Sequence, residues 1–139
     1  NLGNIFQDLG KLQDAESSTR KAIELNPNFA EAHSNLGSIL RDLGKLQDAE
    51  RSTRKAIEYN PSLGVSYFIL GNILQASAKF DEALDNFKKA KQNEMDPHKC
   101  IAAIGKVLLN QGHYDEGMRN IREGEGSIIF DLKNGFSKI

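Results

Sequence analysis

The chain echoes itself at a constant offset, with position 1 matching 35, 35 matching 69 and 69 matching 103. Residues 1–27 read NLGNIFQDLGKLQDAESSTRKAIELNP, and residues 35–61 read NLGSILRDLGKLQDAERSTRKAIEYNP. Of these 27 aligned positions, 22 are identical. A weaker third copy follows at the same offset (ILGNILQASAKFDEALDNFKKA, residues 69–90). A fourth, weaker still, is AIGKVLLNQGHYDEGMRNIREG, residues 103–124. A fixed period in this range builds a solenoid, where each unit buries its apolar face only against its neighbours. The 139 residues are therefore expected to stack as units rather than close around one core.

Each unit is expected to hold two helices. In the second, His33, Leu36, Gly37, Ile39, Leu40 and Leu43 share one face at helical spacing, and Gly44 breaks the pattern. Leu46, Ala49, Thr53, Ala56 and Ile57 form the inner face of a second helix that ends near Asn60-Pro61. The third unit repeats this with Tyr67, Leu70, Gly71, Ile73 and Leu74, then Phe80, Ala83, Leu84, Phe87 and Ala90. Asn28, Ser62 and Asp96 recur at the same period as expected N-caps, and Glu31 completes a capping box with Asn28. Pro97 suits a first helical position, where its missing N–H costs nothing.

Small residues recur with the same period. Gly3, Gly37, Gly71 and Gly105 fall mid-helix, where glycine costs about 1 kcal/mol against alanine. That cost, repeated at one phase, implies close approach of the two helices of a pair. Ala15, Ala49 and Ala83 supply the facing small surface, and Ala22, Ala56 and Ala90 let the second helix approach the next unit.

The net charge of −1 gives no bulk field toward nucleic acid or anionic lipid. No apolar run approaches the roughly 20 residues that span a bilayer. Neither nucleic acid nor membrane is expected as a partner. Cys100 is the single cysteine, which fits a reducing compartment, so a cytoplasmic location is the expectation. The chain opens inside a repeat, as a fragment of a longer protein would.

No catalytic chemistry, metal or cofactor is expected. No serine or cysteine has a supportable histidine–acid arrangement. His98 and Cys100 lie two apart, so on a helix they point to different sides, and no second ligand pair follows at suitable spacing. Residues 124–127, GEGS, lack the lysine and strand–helix context of a phosphate loop. His33 reads as a packing residue. The like-charge pairs read as solvated outer faces.

The landmarks resemble those of the tetratricopeptide repeat: a large residue, Leu-Gly, a large residue, then Ala, an aromatic, Ala and Pro. Unit two supplies His33, Leu36-Gly37, Leu40, Ala49, Thr53, Ala56 and Pro61. Unit three supplies Tyr67, Leu70-Gly71, Leu74, Ala83, Phe87 and Ala90, with Met95 where proline is usual. Unit four departs most, with Gly117 and Gly124 in place of both alanines and Ile129 in place of proline. The resemblance implies an all-α fold, a right-handed α-solenoid of antiparallel helix pairs. The units are an incomplete repeat over 1–29, repeats over 30–63 and 64–97, and a degenerate repeat over 98–124. A non-repeat tail, 125–139, is expected to act as cap or junction.

In this family the first helices line a concave groove that grips an extended peptide or a partner helix. By that register Asn1, Asn35 and Ile69 share one groove position, and Asn4, Ser38, Asn72 and Lys106 the next. Arg41 and Gln75 share a third, while Glu31, Ser34, Val65, Phe68 and Lys99 line the first half of these helices. Asn1 and Asn35 resemble the start of the asparagine ladder in the repeats of O-linked N-acetylglucosamine transferase, where amides hold a peptide backbone. The alternative is that they are solvated or cap turns. Val65, Phe68 and Ile69 are either an apolar anchor pocket or a contact with an adjoining helix or the tail. The carboxylate clamp of some co-chaperones is not expected, because Val65 and Ile69 stand where it requires basic residues.

After Arg122, Gly124 and Gly126 are expected to end the last helix, and SIIFDL (127–132) precedes a KNG turn. The expected function is a non-enzymatic scaffold that binds a peptide or protein in its groove. The alternatives are a substrate-recognition arm of a larger modifying enzyme, glycosyltransferase-like, and a module that self-associates through uncovered repeat ends or the tail.

Overall fold

The structure, a computed structural model, describes residues 2–125. The expectations placed on Asn1 and on residues 126–139 lie outside them. The described residues form seven α-helices: α1 (Leu2–Leu25), α2 (Ala30–Asp42), α3 (Leu46–Tyr59), α4 (Gly64–Ala76), α5 (Phe80–Gln92), α6 (Pro97–Asn110) and α7 (Tyr114–Glu125). The pairs α2–α3, α4–α5 and α6–α7 each pack on themselves, and each joins the next, giving the expected α-solenoid.

Short connections fold each pair back on itself. Gly44, Ala78 and Gly112 stand one period apart and take φ values of +81°, +61° and +88°. At each, the following N–H donates to a carbonyl five positions back: Lys45 to Leu40, Lys79 to Leu74 and His113 to Leu108, all at 2.8 Å. This is the left-handed cap that satisfies orphan carbonyls at a helix end. The end of α5 uses the same device. Glu94 takes φ +69° and Met95 N–H donates to Ala90 O at 3.1 Å. Proline has no N–H, so Met95 permits a cap that Pro27 and Pro61 cannot make.

The close-approach reading of the glycines holds for three pairs. A methyl at Gly71 would lie 2.6 Å from the Phe87 ring, and one at Gly105 would lie 2.7 Å from Gly117 O. At Gly37 it would collide with the Thr53 hydroxyl. The core runs between units. One cluster joins Leu36, Leu40, Ala49, Ile69 and Ile73. A second joins Leu70, Leu74, Ala83, Phe87, Ala103 and Val107.

Two expectations are corrected. Unit one is not a helix pair, because α1 runs unbroken through Gly10. Lys45 reaches Glu16 at 3.4 Å, which sets the C-terminal end of α2 level with the middle of α1. Residues 2–10 extend beyond α2, residues 3–9 are exposed, and helix propensity there outweighs the turn signal.

The N-caps of α2 and α4 are Phe29 and Leu63, with no side-chain cap bond, rather than Asn28 and Ser62. The Asn60 side chain instead accepts from Ser62 N–H at 3.1 Å, so Ser62 belongs to the turn. Asp96 does cap α6, accepting from His98 N–H at 3.0 Å ahead of Pro97.

The described part of α7 runs to Glu125, one residue past Gly124; a methyl at Gly124 would meet the Ala102 backbone nitrogen at 2.5 Å, so this glycine also serves close packing on α6.

Opposite-charge pairs also recur on the exposed face of the second helices. Arg20–Glu16 (2.9 Å) and Lys45–Glu16 (3.4 Å) recur one period on as Arg54–Glu50 (3.0 Å) and Lys79–Glu50 (3.7 Å). Exposed pairs of this kind contribute roughly 0.2–1 kcal/mol each.

Candidate functional site

The first helices α2, α4 and α6 do not pack evenly. The α2 backbone lies close on α4, whereas α4 and α6 approach less closely and meet through the buried side chains of the second cluster. The reason lies in residue type at two positions. Ser34 on α2 and Ser66 on α4 are both buried, and their hydroxyls share a 2.5 Å hydrogen bond between the helices. One period later the same two positions hold Phe68 and Cys100. A phenyl ring on α4 replaces a hydroxyl, and the helices stand apart.

A concavity of about 210 Å³ opens there, lined by Phe68, Asn72 and Gln75 of α4 and by Lys99, Ala102, Ala103 and Lys106 of α6. Phe68 forms an apolar floor. Its ring meets Phe87 edge to face, with centroids 5.4 Å apart and planes at 61°. Phe87 is fully buried, so the floor rests on the core. Asn72 and Gln75 are half-buried, and Lys99 and Lys106 are exposed. Five of the fourteen candidate residues thus meet around one hollow: Phe68, Asn72, Gln75, Lys99 and Lys106.

The other candidates divide. Asn35 and Glu31 are exposed on α2, with Ser38 and Arg41 half-buried beside them. Arg41 is held by its neighbour Asp42 at 3.1 Å. Val65 is exposed at 36% on α4. Ser34 is withdrawn from the surface by its bond to Ser66, and Ile69 is buried in the cluster with Leu36 and Ile73. Neither is presented to a ligand, which corrects both placements. Asn4 is exposed, but it lies on the part of α1 beyond α2. It stands about 28 Å along the helix axis from Ile23, which packs against the α2 core. The expected ladder of Asn1 and Asn35 includes Asn1, which lies outside the described residues.

Other side chains of chemical interest have structural partners. His33 Nε2–H donates to Pro27 O at 2.8 Å, and Tyr67 O–H, one period on, donates to Pro61 O at 2.7 Å. The pair ties each first helix to the turn before it. Cys100 is fully buried, and burial pushes its thiol above the usual range. Among the described residues no cluster of three or more His, Cys, Asp or Glu could hold a metal ion. No helix there is long and apolar enough to cross a membrane.

Two crevices on the opposite face were not anticipated. One, of about 440 Å³, lies between α1 and α3 above His33 and Leu36. The other, of about 590 Å³, lies between α5 and α7 above Ile101 and Ile104. Their linings correspond at twice the period: Arg20 with Lys88, Leu40 with Leu108, Asp48 with Glu116. They are joints between successive second helices, and only the repeat register could have foretold them.

Tetratricopeptide-repeat family models match residues 1–29 and residues 19–51. No curated protein matches the chain by sequence. Among solved structures, MamA superposes with a TM-score of 0.73 at 23% identity, covering 99% of this chain and 78% of that one. YrrB, described as a TPR protein with an unusual peptide-binding site, gives a TM-score of 0.71 at 25% identity, covering 79% of this chain and 57% of that one. The O-GlcNAc transferase of Thermobaculum terrenum gives 0.67 at 22% identity, covering 71% of this chain and 19% of that one. The MamA and transferase likenesses show the fold. Tetratricopeptide-repeat models thus match within residues 1–51, and the helix pairs that follow share the fold of the TPR protein YrrB.

Proposed function

We propose that the chain holds an extended peptide, or an extended segment of a partner protein, on the face built by α2, α4 and α6. The observation that carries this reading is the hollow between α4 and α6. It joins an apolar floor, Phe68, to the side-chain amides of Asn72 and Gln75. An amide donates and accepts, so it can pair with a peptide bond whatever side chain the peptide carries. Asn35 and Ser38 continue the polar row along α2, with Glu31, Arg41 and Val65 on the same helices. The likeness to YrrB supports a peptide as the ligand class.

The test is the double variant Asn72→Ala/Gln75→Ala, panned against a displayed peptide library beside the parent chain. The expected outcome is loss of most captured sequences with unchanged helix content. Equal capture by a folded variant sinks the assignment of this face.

A further inference from the structure

The hollow has a charge as well as a shape. Lys99 and Lys106 are exposed on α6, one on either side of Ala102 and Ala103. Among the described residues neither lysine makes an ion pair, so both ammonium groups are open to a ligand, as are those of several other surface lysines. The two are seven positions apart, about 10 Å along the helix. The lining between them carries no acidic group: it is Phe68, Asn72, Gln75, Ala102 and Ala103.

The position equivalent to Lys99 is Val65 one unit earlier and Glu31 two units earlier. At this one position the side chain changes from acidic on α2 to cationic on α6. Two unpaired cations around an apolar floor suit a ligand with carboxylates on both sides of an apolar side chain.

We infer that this hollow selects an acidic peptide segment in which two Asp or Glu residues flank one apolar residue. The inference rests on the groove reading above and names its ligand class. In an extended peptide, residues i, i+2 and i+4 share a face and span about 13 Å. The pattern acidic–x–apolar–x–acidic thus puts the apolar side chain over Phe68 and one carboxylate within reach of each lysine. Lysine stems are long and flexible, which covers the difference between that span and the helical spacing. Glu31 repels the same ligand at the far end, so the acidic segment sits at α6.

The test uses three fluorescein-labelled peptides and fluorescence anisotropy. The first has the core Glu-Ser-Leu-Ser-Glu, the second Lys-Ser-Leu-Ser-Lys, and the third Gln-Ser-Leu-Ser-Gln. The first is expected to bind at least ten-fold more tightly than the second at about 50 mM salt, with the advantage shrinking toward about 500 mM. Lys99→Ala/Lys106→Ala removes only exposed side chains, so it keeps the fold. It is expected to cost about ten-fold for the acidic peptide and little for the neutral one.

Equal binding of all three peptides, or an unchanged affinity in the double lysine variant, overturns the acidic selectivity. In that case weakening of the neutral peptide by Asn72→Ala/Gln75→Ala still upholds the groove. Failure of all three peptides to bind overturns the selectivity and the groove reading together.

Discussion

Ser34 and Ser66 share a buried hydrogen bond that locks α2 against α4, and their counterparts one period later, Phe68 and Cys100, cannot make it. The change of residue type at these two positions accounts for a closer joint at α2–α4 and a more open one at α4–α6. Removing one hydroxyl leaves the other buried without that partner, at a cost of about 1–3 kcal/mol. Ser34→Ala is therefore expected to lower stability in urea by that amount. The double variant Ser34→Ala/Ser66→Ala is expected to cost less than the sum of the singles. Strict additivity would show that the bond adds nothing to packing.

Gly44, Ala78 and Gly112 hold the same left-handed turn, and only one of them carries a Cβ. A non-glycine residue in this region costs roughly 1–2 kcal/mol. Ala78→Gly is thus expected to raise stability by about 1 kcal/mol, less some extra entropy in the unfolded chain. Gly44→Ala is expected to lower it by a similar amount. Nothing lies within 4 Å of a methyl at Gly44, so strain in the turn, not collision, would be what the melt reports.

Much of this was legible in the sequence, and its failures are specific. The period gave the helix pairs because every apolar face needs the next unit to cover it. It did not foretell the unbroken helix of unit one, because residues 8–16 and 42–50 are identical yet differ in structure. Gly10 lies inside α1, and Gly44 turns. An identical segment cannot choose between helix and turn; packing on α2 and α3 chooses. The groove positions failed at Ser34 and Ile69 for a related reason. A register states which way a residue faces, but not how closely the next helix approaches. The opening at Phe68 needed two positions on different units to be compared at once.

Cys100 gives a chemical probe of the α4–α6 joint. Its thiol is fully buried and held above the usual range by that burial, so the reactive thiolate is scarce. Labelling by a disulfide reagent at about pH 8 is expected to run at least ~100-fold slower than for a free cysteine, since it waits on local opening. Added urea is expected to release it along with loss of helix. Rapid labelling of folded protein would show that α6 opens by itself.

The ion-pair ladder sets a small pH dependence. Arg20 bonds to Glu16 and, with Lys45, holds its carboxyl below the usual value despite some opposing burial. A depressed carboxyl contributes stability above its unfolded pKa and loses it as pH falls through the folded one. Acid should therefore destabilise the parent more than Glu16→Gln. Because the pair is near the surface, the expected difference between about pH 6 and about pH 2.5 is only about 0.5 kcal/mol. Parallel stability curves for parent and variant over that range would show that the pair contributes nothing.

Gly10 and Gly71 set helix propensity against packing in one experiment. Alanine is worth up to about 1 kcal/mol over glycine in a helix interior. At Gly10 a methyl meets nothing within 4 Å, so Gly10→Ala is expected to raise helix content and stability by up to that amount. At Gly71 the methyl meets three Phe87 ring atoms at 2.6–2.9 Å, and that ring is fully buried with Phe68 against its edge. Overpacking of this kind costs about 1–3 kcal/mol, so the collision outweighs the propensity gain. Gly71→Ala is expected to lose about 1–2 kcal/mol in urea unfolding and to weaken peptide binding through the shifted Phe68. A stabilised Gly71→Ala would mean that the α4–α5 pair can relax, and that Phe68 is not held by the core beneath it.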